Sequence, residues 1–154
     1  MIASHALRKT LFASILLATA GVSHPILAQS ESAAVHAAEM KQADIEALVA
    51  AGEKVYGKVC AACHQANGQG LHGAFPPLKD SDYLQADLDR AINAVVKGLT
   101  GKITVNGVDY NGAMPPMAYL SDDDIAAALT FVLQEWNGGG AVTVAQVAAV
   151  LVAR

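Results

Sequence analysis

A chain of 154 residues is about one domain's worth of sequence, and with 53% hydrophobic residues it can build a core. Fourteen acidic residues against ten basic ones give a net charge of −4, which argues against a nucleic-acid partner. The five residues Cys60-Ala61-Ala62-Cys63-His64 hold both cysteines of the chain.

The N-terminus carries His5, Arg8 and Lys9, an apolar run from Leu11 to Val22, and then Ile26-Leu27-Ala28 with a small residue at the expected cut. This pattern predicts a secretory signal peptide over residues 1–28, cleaved near Ala28, and hence a periplasmic chain. An apolar run of about a dozen residues is short against the roughly 20 that span a bilayer, so cleavage is expected rather than anchoring. Loss of Arg8 and Lys9 leaves a mature chain of about 126 residues near −6, with no expected membrane span. Residues 29–43 are Ala-, Ser- and Glu-rich with little periodicity and are expected to form a flexible leader, with His36 and Met40 solvated.

The first folded element is expected to start at Asp44 as N-cap. Ile45, Leu48, Val49, Gly52, Val55, Tyr56, Val59 and Cys60 recur at helical intervals, while Glu46, Glu53, Lys54 and Lys58 fall off that face. Gly52, Tyr56 and Cys60 should stack along one side. A glycine inside a helix costs on the order of 1 kcal/mol against alanine, which points to another helix crossing closely at Gly52.

This helix runs into Cys60-Ala61-Ala62-Cys63-His64, the pattern of a c-type haem attachment site. Each thiol can add across a haem vinyl group, and the adjacent imidazole can bind the iron from one face. A disulfide, half of a zinc site and a thioredoxin-like pair share the Cys-x-x-Cys spacing. Zinc lacks further ligands, because there are no other cysteines and His36 and His72 make no metal-spaced pair. A thioredoxin-like motif belongs at a strand-to-helix junction, whereas a helical pattern precedes Cys60. Export satisfies both a disulfide and haem attachment and does not separate them.

Gly68, Gly70, Gly73, Pro76 and Pro77 leave residues 65–78 without a regular element. Such a loop can wrap a haem and offer a backbone carbonyl to the Nδ1–H of His64. His72 within it is expected to be a surface residue rather than a ligand. Ser81 can start a short turn through Leu84. Asp87 then caps a helix in which Leu88, Ala91, Ile92 and Val95 share a face, stopped by Gly98. Asn106-Gly107 between Ile103-Thr104-Val105 and Val108-Asp109-Tyr110 signals a type I′ hairpin, expected to be a small ribbon.

Pro115 and Pro116 hold Gly112 to Met117 extended. Ser121 caps the next helix, with Asp122, Asp123 and Asp124 in its positive N-terminal turn. Its apolar stripe of Ile125, Ala128, Leu129, Val132 and Trp136, with Phe131 nearby, is the natural partner of the Gly52 face. Gly138-Gly139-Gly140 is expected to end the domain as a flexible joint. Thr143 and Gln146 beyond it fit a capping box on a short helix through Leu151 that should dock on its own domain.

A histidine-ligated c-type haem lacks a sixth ligand, and a thioether sulfur would raise its potential relative to a second histidine. Met40, Met114 and Met117 remain after the signal peptide, and Met40 precedes the fold, so Met114 and Met117 compete.

Cys60-Ala61-Ala62-Cys63-His64, Gly73-Ala74-Phe75-Pro76-Pro77-Leu78 and Tyr110-Asn111-Gly112-Ala113-Met114-Pro115-Pro116-Met117, followed by a terminal helix, resemble class I cytochrome c over residues 44–137. The resemblance implies an all-α small cytochrome c fold, with three to five helices around one covalently bound haem c and its iron, and a short β-hairpin. It further implies Met114 as axial ligand opposite His64, the Pro76 carbonyl as acceptor from His64, and Gly52 and Tyr56 crossing the Ala128 and Phe131 region. Residues 138–154 form a Gly-rich joint and a C-terminal helix outside it. The wording is also similar to cytochrome domains associated with copper nitrite reductases and to cytochrome subunits of alcohol dehydrogenases and terminal oxidases. The implied function is a periplasmic electron carrier serving such a respiratory oxidoreductase, not an enzyme. The alternative is a haem c subunit, sensor or peroxidase with an open sixth position. Arg90 and Arg154, the two arginines of the mature chain, lie far from Met114 in sequence and offer no obvious distal group.

Overall fold

The computed structural model describes residues 41–152. The expected signal peptide, most of the leader, His36, Met40 and Arg154 lie outside the described residues. Five helical units and one hairpin follow in order. The first is a rod made of α1 (Gln42–Val55), a π-helical turn (Tyr56–Cys60) and α2 (Ala61–His64). Then come α3 (Asp82–Ala86), α4 (Leu88–Lys97), β1 (Leu99–Val105), β2 (Val108–Met114), α5 (Asp122–Trp136) and α6 (Val144–Val152).

Helix α1 starts at Gln42, two residues before the expected cap. Lys41 occupies the N-cap position without a side-chain bond, and Asp44 sits in the first turn. There its carboxylate meets the positive end of the helix dipole, which favours it at that position as well as at a cap. The caps at Asp87 and Ser121 are as expected. The Asp87 side chain accepts from Arg90 N at 2.9 Å, and Ser121 Oγ from Asp124 N at 3.1 Å.

The rod and α5 cross at Gly52. A Cβ built there would lie 2.0 Å from the Ala127 carbonyl oxygen and 2.8 Å from Phe131 Cβ, so the two helices touch through backbone. The contact falls on Ala127, one residue before the expected Ala128, whose side chain instead lines a cleft. Below the crossing, Tyr56, Phe131 and Trp136 pack as an aromatic trio with ring centroids 5.1–5.4 Å apart. The two ring pairs with Trp136 are close to edge-on, the geometry that ring quadrupoles favour.

The hairpin is longer than the ribbon expected, with seven residues per strand in register from Val105↔Val108 to Leu99↔Met114. Asn106 (φ 51°) and Gly107 (φ 77°) both take positive φ, as a type I′ turn requires. The extra pairs arise because Gly98 turns the chain directly from α4 into β1, so strand pairing runs up to Met114 and stops at Pro115, which has no N–H to donate.

Helix α6 docks on its own domain. Val142, Val147 and Val150 join Ile92, Val96, Ile125 and Leu133 in one buried cluster. The Thr143–Gln146 capping box forms, with Gln146 N donating to Thr143 Oγ1 at 3.2 Å and Thr143 N to Gln146 Oε1 at 2.8 Å. The three glycines before it make a bonded reversal rather than a loose joint. Gly139 N donates to Leu133 O, Gln134 Nε2 donates to Gly140 O, and Val142 N is taken by the buried Thr130 Oγ1 at 2.9 Å.

Replacing Gly52 with Ala should destabilise the holoprotein by at least about 3 kcal/mol, the upper range for overpacking, because backbone must move. Gly57→Ala in the same rod, where an added Cβ meets nothing within 4 Å, should be neutral or slightly stabilising. Urea denaturation of both variants checks the pair.

Candidate functional site

The rod, the loop of residues 65–81, the hairpin and one face of α5 enclose an apolar cleft. Its unfilled volume is about 1590 Å³, counted out to its open mouth. Cys60, Cys63, His64, Pro76, Met114 and Met117 all line it. So do Ile125, Ala128, Leu129 and Val132 from α5. The stripe expected to meet the Gly52 face is therefore divided between the helix crossing and the cleft.

His64 ends α2 and is 8% exposed. Its Nδ1 lies 2.9 Å from the Pro76 carbonyl oxygen. A carbonyl only accepts, so Nδ1 carries the proton and Nε2 keeps its lone pair. Burial pushes the His64 pKa down, partly offset by the Pro76 hydrogen bond; the net direction favours a neutral ring, and the bond places its one proton on Nδ1. That is the state in which imidazole ligates a metal.

The loop is shaped to deliver this carbonyl. Gln65 leaves the helix at φ 63°, held where Tyr56 Oη donates to its carbonyl at 2.6 Å. Gly70 N donates to His64 O, and Leu78 N and Lys79 N both donate to Gly68 O. Gly68 has φ +71°, and a Cβ there would lie 2.6 Å from the Trp136 ring, so glycine is required on both counts. His72 is exposed and stands outside the cleft.

The two cysteines differ. Cys60 is partly buried and packs beside the Tyr56 cluster, whereas Cys63 is exposed. Burial pushes the Cys60 thiol up to about 11, with the neighbouring Cys63 adding to the effect. An environment that disfavours thiolate suits an uncharged thioether sulfur better than a zinc ligand. Among the described residues no group of three or more His, Cys, Asp or Glu side chains converges.

Met114 is the last residue of β2 and Met117 follows the proline pair, both half-buried. The Met117 sulfur accepts from Tyr119 Oη at 3.3 Å, and its backbone N donates to Val95 O at 2.8 Å. Two methionines, an imidazole with its lone pair set free and an almost wholly apolar cleft fit a flat, covalently attached haem. Sequence reasoning missed Asn137, whose side chain ties α5 to the loop. An asparagine just past a helix is common enough to carry no signal of that.

The site defines a haem c protein, and the comparisons with known proteins agree. The family model described as Cytochrome c matches residues 49–136, more than half of the chain, and the chain belongs to that family. "Cytochrome c-552" from Thermus thermophilus is 44% identical over 90 residues, covering 56% of this chain and 68% of that protein. In a second protein of the same name from that species, an alignment of equal identity spans 60% of its length, so this chain covers less than two thirds of that relative. "Cytochrome c6" from Leptolyngbya boryana is 36% identical over 91 residues, 95% of its length. The chain is thus a haem c electron carrier and not an enzyme, built around one covalently bound haem and its iron. Among the described residues no helix is long and apolar enough to cross a membrane.

Tyr56→Phe deletes the 2.6 Å bond to Gln65 O, while that carbonyl keeps its 3.1 Å bond from Gly68 N. It should cost about 0.5–1.5 kcal/mol, the net contribution of one hydrogen bond, in urea denaturation of the holoprotein.

Proposed function

We propose that the chain is exported to the periplasm and carries one electron at a time on a haem attached through Cys60 and Cys63, with His64 and Met114 as axial ligands. The observation that carries this reading is the shared cleft: the Cys pair, an Nδ1-protonated His64 and Met114 line one apolar space. The bound haem c supplies a one-electron Fe(III)/Fe(II) couple.

The chain's own groups set how that couple behaves. Pro76 holds the His64 ring in orientation and raises the basicity of Nε2. Met114 offers a soft thioether that raises the reduction potential, and the apolar walls raise it further by disfavouring the more highly charged oxidised state. Met117, engaged with Tyr119 and Val95, serves as packing. Arg90 stacks its guanidinium 3.7 Å over the Tyr83 ring and does not line the cleft, which argues against a distal arginine for peroxide chemistry. Electron donors and acceptors of the respiratory type fit the family resemblance: a nitrite reductase, an alcohol dehydrogenase or a terminal oxidase.

In protein matured with a cytochrome c assembly system, Met114→Ala should abolish the sulfur-to-iron charge-transfer band and lower the potential, while Met117→Ala keeps both. Retention of the band in the Met114 variant would sink the assignment. Carbon monoxide should bind the wild-type ferrous protein slowly or hardly at all at neutral pH, and rapid binding would favour the open-site alternative. Replacing both Cys60 and Cys63 with Ser should make any retained haem fully extractable by acidified organic solvent, whereas the wild-type haem stays with the chain.

A further inference from the structure

Asn137, the residue after α5, has every hydrogen-bonding valence of its side chain in use. Nδ2 donates to Leu78 O at 2.8 Å and to Val132 O at 2.9 Å. Oδ1 accepts from Ser81 N at 3.0 Å and from Gln85 Nε2 at 3.3 Å. An amide offers two N–H donors and one oxygen with two lone pairs, so nothing is left over. One side chain therefore joins the end of α5 to both ends of the Leu78–Ser81 segment, and Asp80 N adds a bond to Trp136 O.

Leu78 is held twice, through its carbonyl by Asn137 and through its N–H by Gly68 O at 2.8 Å. Between Leu78 and the Pro76 carbonyl that accepts from His64 stands only Pro77. Both rings fix φ, and Pro77 also restricts the ψ of Pro76. The strap is stiff, so where Leu78 sits decides where the Pro76 carbonyl points. We propose that Asn137 is a positioning residue for the haem, acting through this two-proline strap to hold the Pro76 carbonyl on His64 Nδ1. The inference rests on His64 being the axial ligand. A firm Nδ1–H···O bond makes the imidazole a stronger donor and favours the oxidised iron, so loosening the strap raises the potential.

The test uses full-length holoprotein carrying Asn137→Asp, Asn137→Ala or Gln134→Ala. Aspartate keeps the size and the acceptors for Ser81 N and Gln85 but loses both donors, setting a carboxylate oxygen against the Leu78 carbonyl. It decides the matter should the alanine variant fail to fold. Gln134→Ala removes the 2.7 Å bond to Gly140 O near the same end of α5 without touching the strap, and so controls for helix-end destabilisation. Both Asn137 variants should speed exchange of the His64 Nδ1 proton, followed by NMR, about tenfold. They should also raise the reduced-to-oxidised ratio at fixed applied potential about threefold, a shift of ~30 mV from the 59 mV per decade of a one-electron couple. Gln134→Ala should change neither quantity. Asn137 variants that lose stability yet keep wild-type potential and exchange would reduce Asn137 to a helix cap and overturn the proposal. His64 ring resonances without a paramagnetic shift in the oxidised wild type would overturn the axial assignment instead, and the proposal with it.

Discussion

The approach of two backbones at Gly52 is the constraint on which the remaining structure depends. With no side chain at that position, the rod sinks onto the Ala127 carbonyl, and the residues further along both helices, Tyr56, Phe131 and Trp136, become one cluster. Trp136 in turn is the surface on which Gly68 and hence the loop rest. The attachment motif lies at the far end of the same rod, so the crossing also sets where Cys60, Cys63 and His64 stand relative to α5. A methyl group at Gly52 would disturb the cleft wall and the loop together, although it touches neither.

The cleft is chemically plain. Its walls are apolar, and the hydrogen bond that fixes its one imidazole is accepted by a backbone carbonyl. Pro76 acts on His64 from the loop, and the loop is braced at Gly68, Leu78 and Ser81 by main chain and by one asparagine. Rigidity here serves electron transfer directly, since a carrier gains from a site that changes little between oxidation states. The second half of the core, where α4, α5 and α6 meet, lies outside the residues matched by the family model only in Val142 and its α6 part.

What could be read from the sequence was mostly local chemistry. Asp87, Ser121 and the Thr143–Gln146 pair cap as their spacing implies, and Asn106-Gly107 makes the turn its φ tolerance implies, because partners within four residues decide these features. The attachment motif is legible for the same reason. Pro76 and Met114 are 12 and 50 residues from His64, and no periodicity connects them to it. Ligand inventory narrows the sixth ligand to Met114 or Met117 and the loop composition offers a carbonyl to His64, but singling out Met114 and Pro76 takes the resemblance. The features that escaped are non-local: the shift from Ala128 to Ala127 at the crossing, the strand pairs up to Met114, and the bonds of Thr130 and Asn137 to distant backbone. Asp44 is the exception, a local feature misplaced because the first turn and the N-cap attract the same residue types.

The π turn from Tyr56 to Cys60 gives the rod a property that its length hides. Its closing bond, from Ala61 N to Tyr56 O, spans five residues instead of four, so the turn absorbs one residue more than a regular helix would. Wound uniformly, the same residues would present the motif rotated by about 100° around the axis, the step of a single helical residue. The face that crosses α5 and the face that carries the cysteines are thus phased independently on one continuous element. Loss of one residue between Tyr56 and Cys60 could be taken up by straightening the turn, with both faces still aimed correctly, whereas a further insertion would find that allowance already used.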